Sequence, residues 1–260
     1  MKKFLMIFVC VITIIGVTGC GSSKNSESNS DNSGNKTGSS FATDDWKTIV
    51  ENVKSGKTYK VGDTKEIDMG ELGKHTIRVA NTSTPDECKK DGFSQTACGF
   101  VLEFADTLTD HNMNTENTNV GGWKDSEIRT YVNTDIFNAL PEELKNLIID
   151  TKVISGHGNT SGETNFTTND KLYLLSTVEV FGKEYADTLT TEMTRQLDYY
   201  NNLGVTNRNY SGAKKNNDYW WLRSANSNEF RLFNYISGNG NVSNSFAYKT
   251  NRVSPAFRIG

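Results

Sequence analysis

Apolar and polar positions divide the chain into three stretches of different character. Lys2 and Lys3 precede an almost unbroken apolar run, residues 4–17. That run is shorter than the roughly 20 residues a membrane-spanning helix needs, and it fits the apolar core of a signal peptide. Residues 21–40 carry no apolar side chain at all. From Phe41 onward apolar residues recur at spacings that predict folded elements. Trp46, Ile49, Val50 and Val53 share one helical face behind a Thr43 or Asp44 cap, and Gly56 stops that helix. Strands are predicted at 58–61, 75–80 and 100–104. Ile128, Val132 and Phe137 lie at helical spacing within 126–140, and Pro141 can open the next helix, which carries Leu144, Leu147 and Ile148 inward. Val153, Leu172 and Leu174 belong to short strands flanking a Gly/Asn/Thr-rich loop at 156–170, and a further helix falls between 190 and 203. The C-terminal segment is strand-like at 219–223, 230–236 and 253–259, with Gly238-Asn239-Gly240 as a hairpin turn. Helices first and a β cluster last indicate an α+β fold. With only three prolines and no second linker, residues 41–260 read as a single domain.

The end of the first apolar run carries a specific motif. Val17-Thr18-Gly19-Cys20 resembles the bacterial lipobox, in which small residues admit a peptidase and the cysteine thiol takes diacylglycerol. Residues 1–19 are then a lipoprotein signal peptide, and residues 20–40 a lipidated tether too polar to bury surface and offset its ordering entropy. Two acyl chains anchor a protein stably where one does not. The expected address is therefore the cell membrane, lipid-anchored through Cys20 on its extracytoplasmic face. The full chain has 28 basic and 31 acidic residues; losing Lys2 and Lys3 leaves 26 against 31, a formal charge of −5. An acidic surface without a Lys/Arg cluster argues against a nucleic-acid partner. Cys10 leaves with the signal and Cys20 takes lipid. Outside a reducing cytosol the remaining Cys88 and Cys98 read as a disulfide, worth about 3 kcal/mol by loop closure; two free thiols are the alternative.

Three blocks carry a broader resemblance. They are Trp123-Lys-Asp-Ser-Glu-Ile-Arg-Thr-Tyr-Val-Asn133 with Phe137; Asp170-Lys-Leu-Tyr-Leu-Leu-Ser176; and Trp220-Trp-Leu-Arg-Ser224 with Gly240 and Pro255-Ala-Phe257. They resemble a bacterial cell-surface family of unknown function, distantly similar to formylglycine-generating-enzyme and C-type-lectin folds. The resemblance implies a single lectin-like α+β domain with irregular strands and peripheral helices, whose loops present a ligand face. It also shows a departure. The family commonly places Arg before the late Pro-Ala, where this chain has Ser254; Arg252 is the nearby substitute.

Signs of chemistry are sparse. Formylglycine formation resembles a cysteine–metal reaction, and related thiol oxidation uses several histidines on iron. This chain has no Cys after Cys98 and no His after His157, and His75, His111 and His157 are far apart. Ser161 is not in a nucleophile elbow, and the Gly238–Gly240 pair lies in a hairpin rather than at a helix start. Glu163, Asp170 and Asp218 could be paired by the fold. The proline flanks do not match a calcium–sugar site, although oxygen-rich 159–170 offers ligands for Ca²⁺. No catalytic residue, metal site or cofactor is therefore assigned. The candidate site is instead a ligand face on the last hairpin. Alternation sets Arg231, Phe233 and Tyr235 on one side of the strand, opposite Phe230, Leu232 and Ile236, with Tyr248 nearby and Asn239 and Asn241 at the rim. Rigid rings beside adaptable amides suit recognition of a glycan or protein. Trp220, Trp221 and Arg223 read as core. The leading expectation is a non-enzymatic surface lipoprotein binding an extracellular glycan or protein; an envelope hydrolase or thiol oxidase and a structural envelope protein are the alternatives.

Overall fold

The computed structural model describes residues 39–57, 59–159, 162, 164–183 and 193–260. The expected signal peptide, Cys20, nearly all of the expected tether, Ser161, Glu163 and the start of the helix expected from residue 190 lie outside them. Helix α1 (Trp46–Lys54) opens at Asp45, whose carboxylate accepts from the Thr48 amide at 2.7 Å and satisfies one of the free N–H groups of the first turn. The cap falls one residue later than expected because Asp44 is engaged elsewhere, accepting from the Tyr59 hydroxyl at 2.6 Å. Trp46, Ile49 and Val50 are buried, as their spacing requires.

Strands then dominate the chain. They are β1 (Thr64–Asp68), β2 (Lys74–Asn81), β3 (Val101–Phe104), β4 (Asp110–Asn112), β5 (Ile148–Ile149), β6 (Thr151–Ser155) and β7 (Phe166–Asp170). After them come β8 (Tyr173–Leu174), β9 (Trp220–Ala225), β10 (Leu232–Ile236), β11 (Val242–Phe246), β12 (Thr250–Arg252) and β13 (Pro255–Ile259). One sheet runs β1-β2-β3-β13-β5, with β8 also pairing with β13. The second runs β11-β10-β9-β12-β4, and β6 and β7 form a separate hairpin. Every pairing is antiparallel except β12 with β9.

Helix α2 (Glu127–Tyr131) continues through a π turn, Val132–Ile136, into α3 (Phe137–Ala139). Ile128, Val132 and Ile136 are all fully buried. Asn133 on the same segment acts as a side-chain splint. Its Oδ1 accepts from the amides of Lys171 and Leu172 at 3.0 Å, and its Nδ2 donates to the Leu172 carbonyl at 2.9 Å. Helix α4 (Glu142–Lys145) follows Pro141 and buries Leu144.

Two elements differ from expectation. The loop expected at 156–170 ends in β7, which pairs with β6 over its full length despite its polar sequence. Residues 59–61 form no strand; Tyr59 is buried through ring contacts with Phe41 and Phe100. Helices α5 (Thr177–Phe181) and α6 (Asp198–Asn202) complete the chain, α6 covering only the end of the helix expected at 190–203. The architecture is mixed α+β, mostly strand with a few short helices, and Ser39–Gly260 form one compact unit. Cys88 and Cys98 are disulfide-bonded beside Phe93, apart from the main core.

Candidate functional site

The most distinctive string of the sequence lies wholly inside the protein. Trp220-Trp-Leu-Arg-Ser224 occupies β9, and all five side chains are buried. Trp220 donates to the Ala213 carbonyl at 3.3 Å and Trp221 to the His111 carbonyl at 2.8 Å. The Ser224 hydroxyl accepts from the Thr177 amide at 3.0 Å. Arg223 reaches both oxygens of Glu179 at 2.6 Å, with neither side chain exposed to solvent. Glu179 is also the third residue of a capping box with Ser176, so the ion pair fastens β9 to the start of α5. Burial pushes the Glu179 carboxyl up, but Arg223 and the hydrogen bonds around it outweigh that and keep it ionised.

A second buried charge cluster replaces the arginine that the resemblance led us to expect before Pro255. Lys215 is fully buried and donates to Glu103 at 2.7 Å, to the Phe104 carbonyl at 2.6 Å and to Ser254 Oγ at 2.9 Å. Lys215, rather than Arg252, is therefore the cation at Ser254. Glu103 also accepts from Arg78 at 2.8 Å and from Tyr200 at 2.8 Å. These groups are buried and paired with one another, and they serve the scaffold.

The residues expected to form a ligand face are divided by the fold. Phe233 is fully buried and packs in the core, which removes it from any solvent-facing surface. Alternation misplaced it because the middle of β10 is covered on both faces, leaving Phe233, Asn234 and Ile236 all buried. Next to Phe233 the pairing with β9 shifts, so that Leu222, Arg223 and Ser224 stand opposite Asn234 alone. Phe230, expected on the core side, is instead 47% exposed.

Tyr235 is half-buried, its ring 6.1 Å from Trp221 and 5.8 Å from Tyr219. Asn239 and Asn241 sit in the turn beyond it. The Asn239 carbonyl oxygen accepts from the Ser237 hydroxyl at 2.5 Å and from the Asn241 amide at 3.2 Å, so this side chain shapes the turn itself. Gly240 has φ +94°, and a Cβ there would collide with the Tyr210 carbonyl, which explains a glycine at that point.

Arg231 and Tyr248 lie at the opposite end of β10, where two phenylalanines join them. Four residues separate Arg231 from Tyr235, about 13 Å along an extended strand. Glu229 grips the Arg231 guanidinium with two hydrogen bonds, 2.8 and 2.9 Å, and those bonds hold its carboxyl below the usual range. So oriented, Arg231 lies 5.3 Å from the Phe230 ring and 5.5 Å from the Phe246 ring. Phe246 stacks on Tyr248 at 5.9 Å with an interplanar angle of 14°, and the Lys249 ammonium caps Tyr248 at 5.0 Å. Phe246 and Tyr248 are 36% and 44% exposed. The result is an exposed run of ring, cation, ring, ring and cation whose members brace one another, which lowers the ordering cost of a contact. Phe230 and Phe246 were missed in the sequence, the first as a core residue and the second within a polar strand.

The described acids and histidines singled out in the sequence are each held by local partners. Asp170 accepts from Trp123 at 2.9 Å, from Thr168 at 2.7 Å and from Arg129 at 2.8 Å. Asp218 accepts from Thr107, so the two acids are held by different partners. His75 is fixed between Asp106 and the Leu72 carbonyl, and His111 stacks on Tyr131 at 4.2 Å. Among the described residues, no group of three or more His, Cys, Asp or Glu is placed to hold a metal ion, and no helix is long and apolar enough to cross a membrane. No curated protein and no solved structure matches the chain. Residues 100–260, more than half of the chain and all of β3 to β13 with the face just described, match DUF6273; the chain belongs to this family, a domain of unknown function.

Proposed function

We propose that this protein is a non-enzymatic, lipid-tethered surface protein that binds an extracellular glycan or protein ligand. On this reading Cys20 carries the lipid, residues 20–40 are the tether, and the domain that follows is lectin-like. The observation that carries the reading is the braced aromatic face of Phe230, Arg231, Phe246 and Tyr248. Large rings held half in solvent by neighbouring cations cost solvation without serving the core, and such anchors dominate the energetics of recognition surfaces. The disulfide between Cys88 and Cys98 supports an oxidising compartment beyond the membrane.

The test is a screen of the protein against envelope and host glycans and extracellular proteins, repeated with Phe246→Ala and Tyr248→Ala. Each substitution should weaken binding by about 1–3 kcal/mol while leaving the melting temperature within a few degrees of the parent. Unchanged affinity in the double variant would remove this face from the ligand site, and chemical turnover of a bound ligand would replace the reading with an enzymatic one.

A further inference from the structure

Beyond Tyr235, at the opposite end of β10 from the aromatic face, the sheet opens into a cleft of about 360 Å³. Asp110 from the start of β4, Asp218 and Tyr219 from the approach to β9, and Thr250, Asn251 and Arg252 of β12 line it. Tyr219 is 54% exposed, and Tyr235 props its ring at a centroid distance of 5.8 Å, tilted by 57°. A half-exposed ring held from one side is a platform for a flat apolar face. The cleft lies at the small end of the range of roughly 300–1,000 Å³ found for small-molecule sites.

Its polar groups are mixed in a way that selects among ligands. Arg252 lies between the carboxylates, with Nη1 3.6 Å from Asp110 and Nε 3.8 Å from Asp218, too far for hydrogen bonds. Its Nε and Nη2 are spent on Thr107 Oγ1 at 3.3 Å and the Leu108 carbonyl at 3.2 Å, which fixes the guanidinium and leaves Nη1 facing Asp110. The Asn251 amide nitrogen is buried under the cleft without a hydrogen-bond partner. Turning that amide outward to meet a ligand would therefore break no bond, and leaving it unmet costs free energy. A simple cation would satisfy Asp110 and Asp218 but meet Arg252. An anion would satisfy Arg252 and Asn251 but meet two carboxylates. A vicinal diol donates and accepts at each oxygen, so it can satisfy both sets at once.

We infer that this cleft seats a neutral saccharide, with one sugar ring lying against Tyr219. Its hydroxyls donate to Asp110 and Asp218 and accept from Arg252 Nη1 and the Asn251 amide. The inference goes beyond the binding reading above: it adds a second site, for a neutral glycan, at a surface separate from Phe246 and Tyr248.

The test is titration of the full-length protein with maltotriose, mannotriose and triacetylchitotriose as neutral probes, sialyllactose as an anionic probe and spermine as a cationic one. At least one neutral trisaccharide should bind. Tyr219→Ala and Asp110→Asn alter exposed side chains and should keep the parent melting temperature, yet each should weaken that binding about tenfold or more. Phe246→Ala serves as the control for the other face. Binding of no neutral probe, binding of spermine or sialyllactose alone, or parent affinity in either cleft variant overturns the inference. Saccharide binding lost in Phe246→Ala but kept in Tyr219→Ala would sink the cleft and leave the aromatic face standing.

Discussion

Replacing Glu103 by Gln should destabilise this protein more than any change on its surface. Glu103 is fully buried on β3 and uses both oxygens: Oε1 accepts from Arg78 at 2.8 and 3.2 Å, and Oε2 from Tyr200 at 2.8 Å and Lys215 at 2.7 Å. Burial pushes its carboxyl up, but Arg78 and Lys215 together outweigh burial and hold it at about 2, against an ordinary 4.5. A drop of that size corresponds to about 3 kcal/mol of stability. Because the folded value lies below the unfolded one, that stability is present above about 4.5 and is lost as pH falls toward 2. Gln keeps the shape and removes the charge, which strands Arg78 and Lys215 in the interior. Breaking a buried pair in this way costs about 3–5 kcal/mol, a large share of the 5–15 kcal/mol typical of a domain. Lys215 gives a second signature. Burial pulls its ammonium down to about 8 although Glu103 opposes the change, while Arg78 adds repulsion. Without Glu103 the value should fall further. A lysine depressed in the folded state sheds its proton on folding, so the variant should regain stability as pH rises, and should start to do so at lower pH than the parent. Urea denaturation across a pH series measures all three effects. A loss below about 1 kcal/mol at neutral pH, or an acid limb identical in parent and variant, would refute the account.

Phe233→Ala should cost about 3–5 kcal/mol of stability while the folded fraction keeps the parent affinity for ligand; weakened binding without a melting change would return Phe233 to the site. Cys20→Ala should abolish incorporation of labelled fatty acid and release the protein or leave an uncleaved precursor, and continued labelling of that variant would disprove the lipobox assignment.

What could be read in the sequence followed from how each element meets solvent. Helices α1 and α2 each bury one face and expose the other, so Trp46, Ile49, Ile128 and Val132 announce them by spacing. Helix α5 was missed because all five of its residues are buried, so no polar face marked its period. Its capping-box pattern, Ser176 with Glu179 three residues on, was the usable signal. Strands β7 and β11 were hidden by polar residues. Phe166-Thr-Thr-Asn-Asp170 belongs to a two-stranded hairpin, and Val242-Ser-Asn-Ser-Phe246 forms a sheet edge, where neither needs an apolar run. The candidate site suffered from the same effect. Phe246 stands in that polar edge strand, and Phe233 lies where both faces of β10 are covered, so alternation lost its meaning at the two rings that mattered most. The Glu103 cluster could not have been read at all, since Arg78 and Lys215 lie 25 and 112 residues from it along the chain.

The family match over residues 100–260 does not specify a ligand. Trp220, Trp221 and Ser224 spend their polar atoms on Ala213, His111 and Thr177, Leu222 fills the core, and Arg223 is consumed by Glu179. Asn133, Asp170 and Arg129 from the other blocks likewise bond to one another's neighbourhoods rather than to any opening. Residues whose hydrogen bonds and ion pairs are made inside the fold serve stability, so a family match that spans them transmits a scaffold and not an activity. The groups with free surface, Phe230, Phe246 and Tyr248 at one end of β10 and Tyr219 with Asp110 at the other, lie outside those strings. They sit at the ends of strands or in the turns beside them, exposed to solvent and outside the buried network, so they can change without disturbing it. The proposed ligand is therefore to be sought by altering the rim, because changes to Trp220–Ser224 would report only on folding.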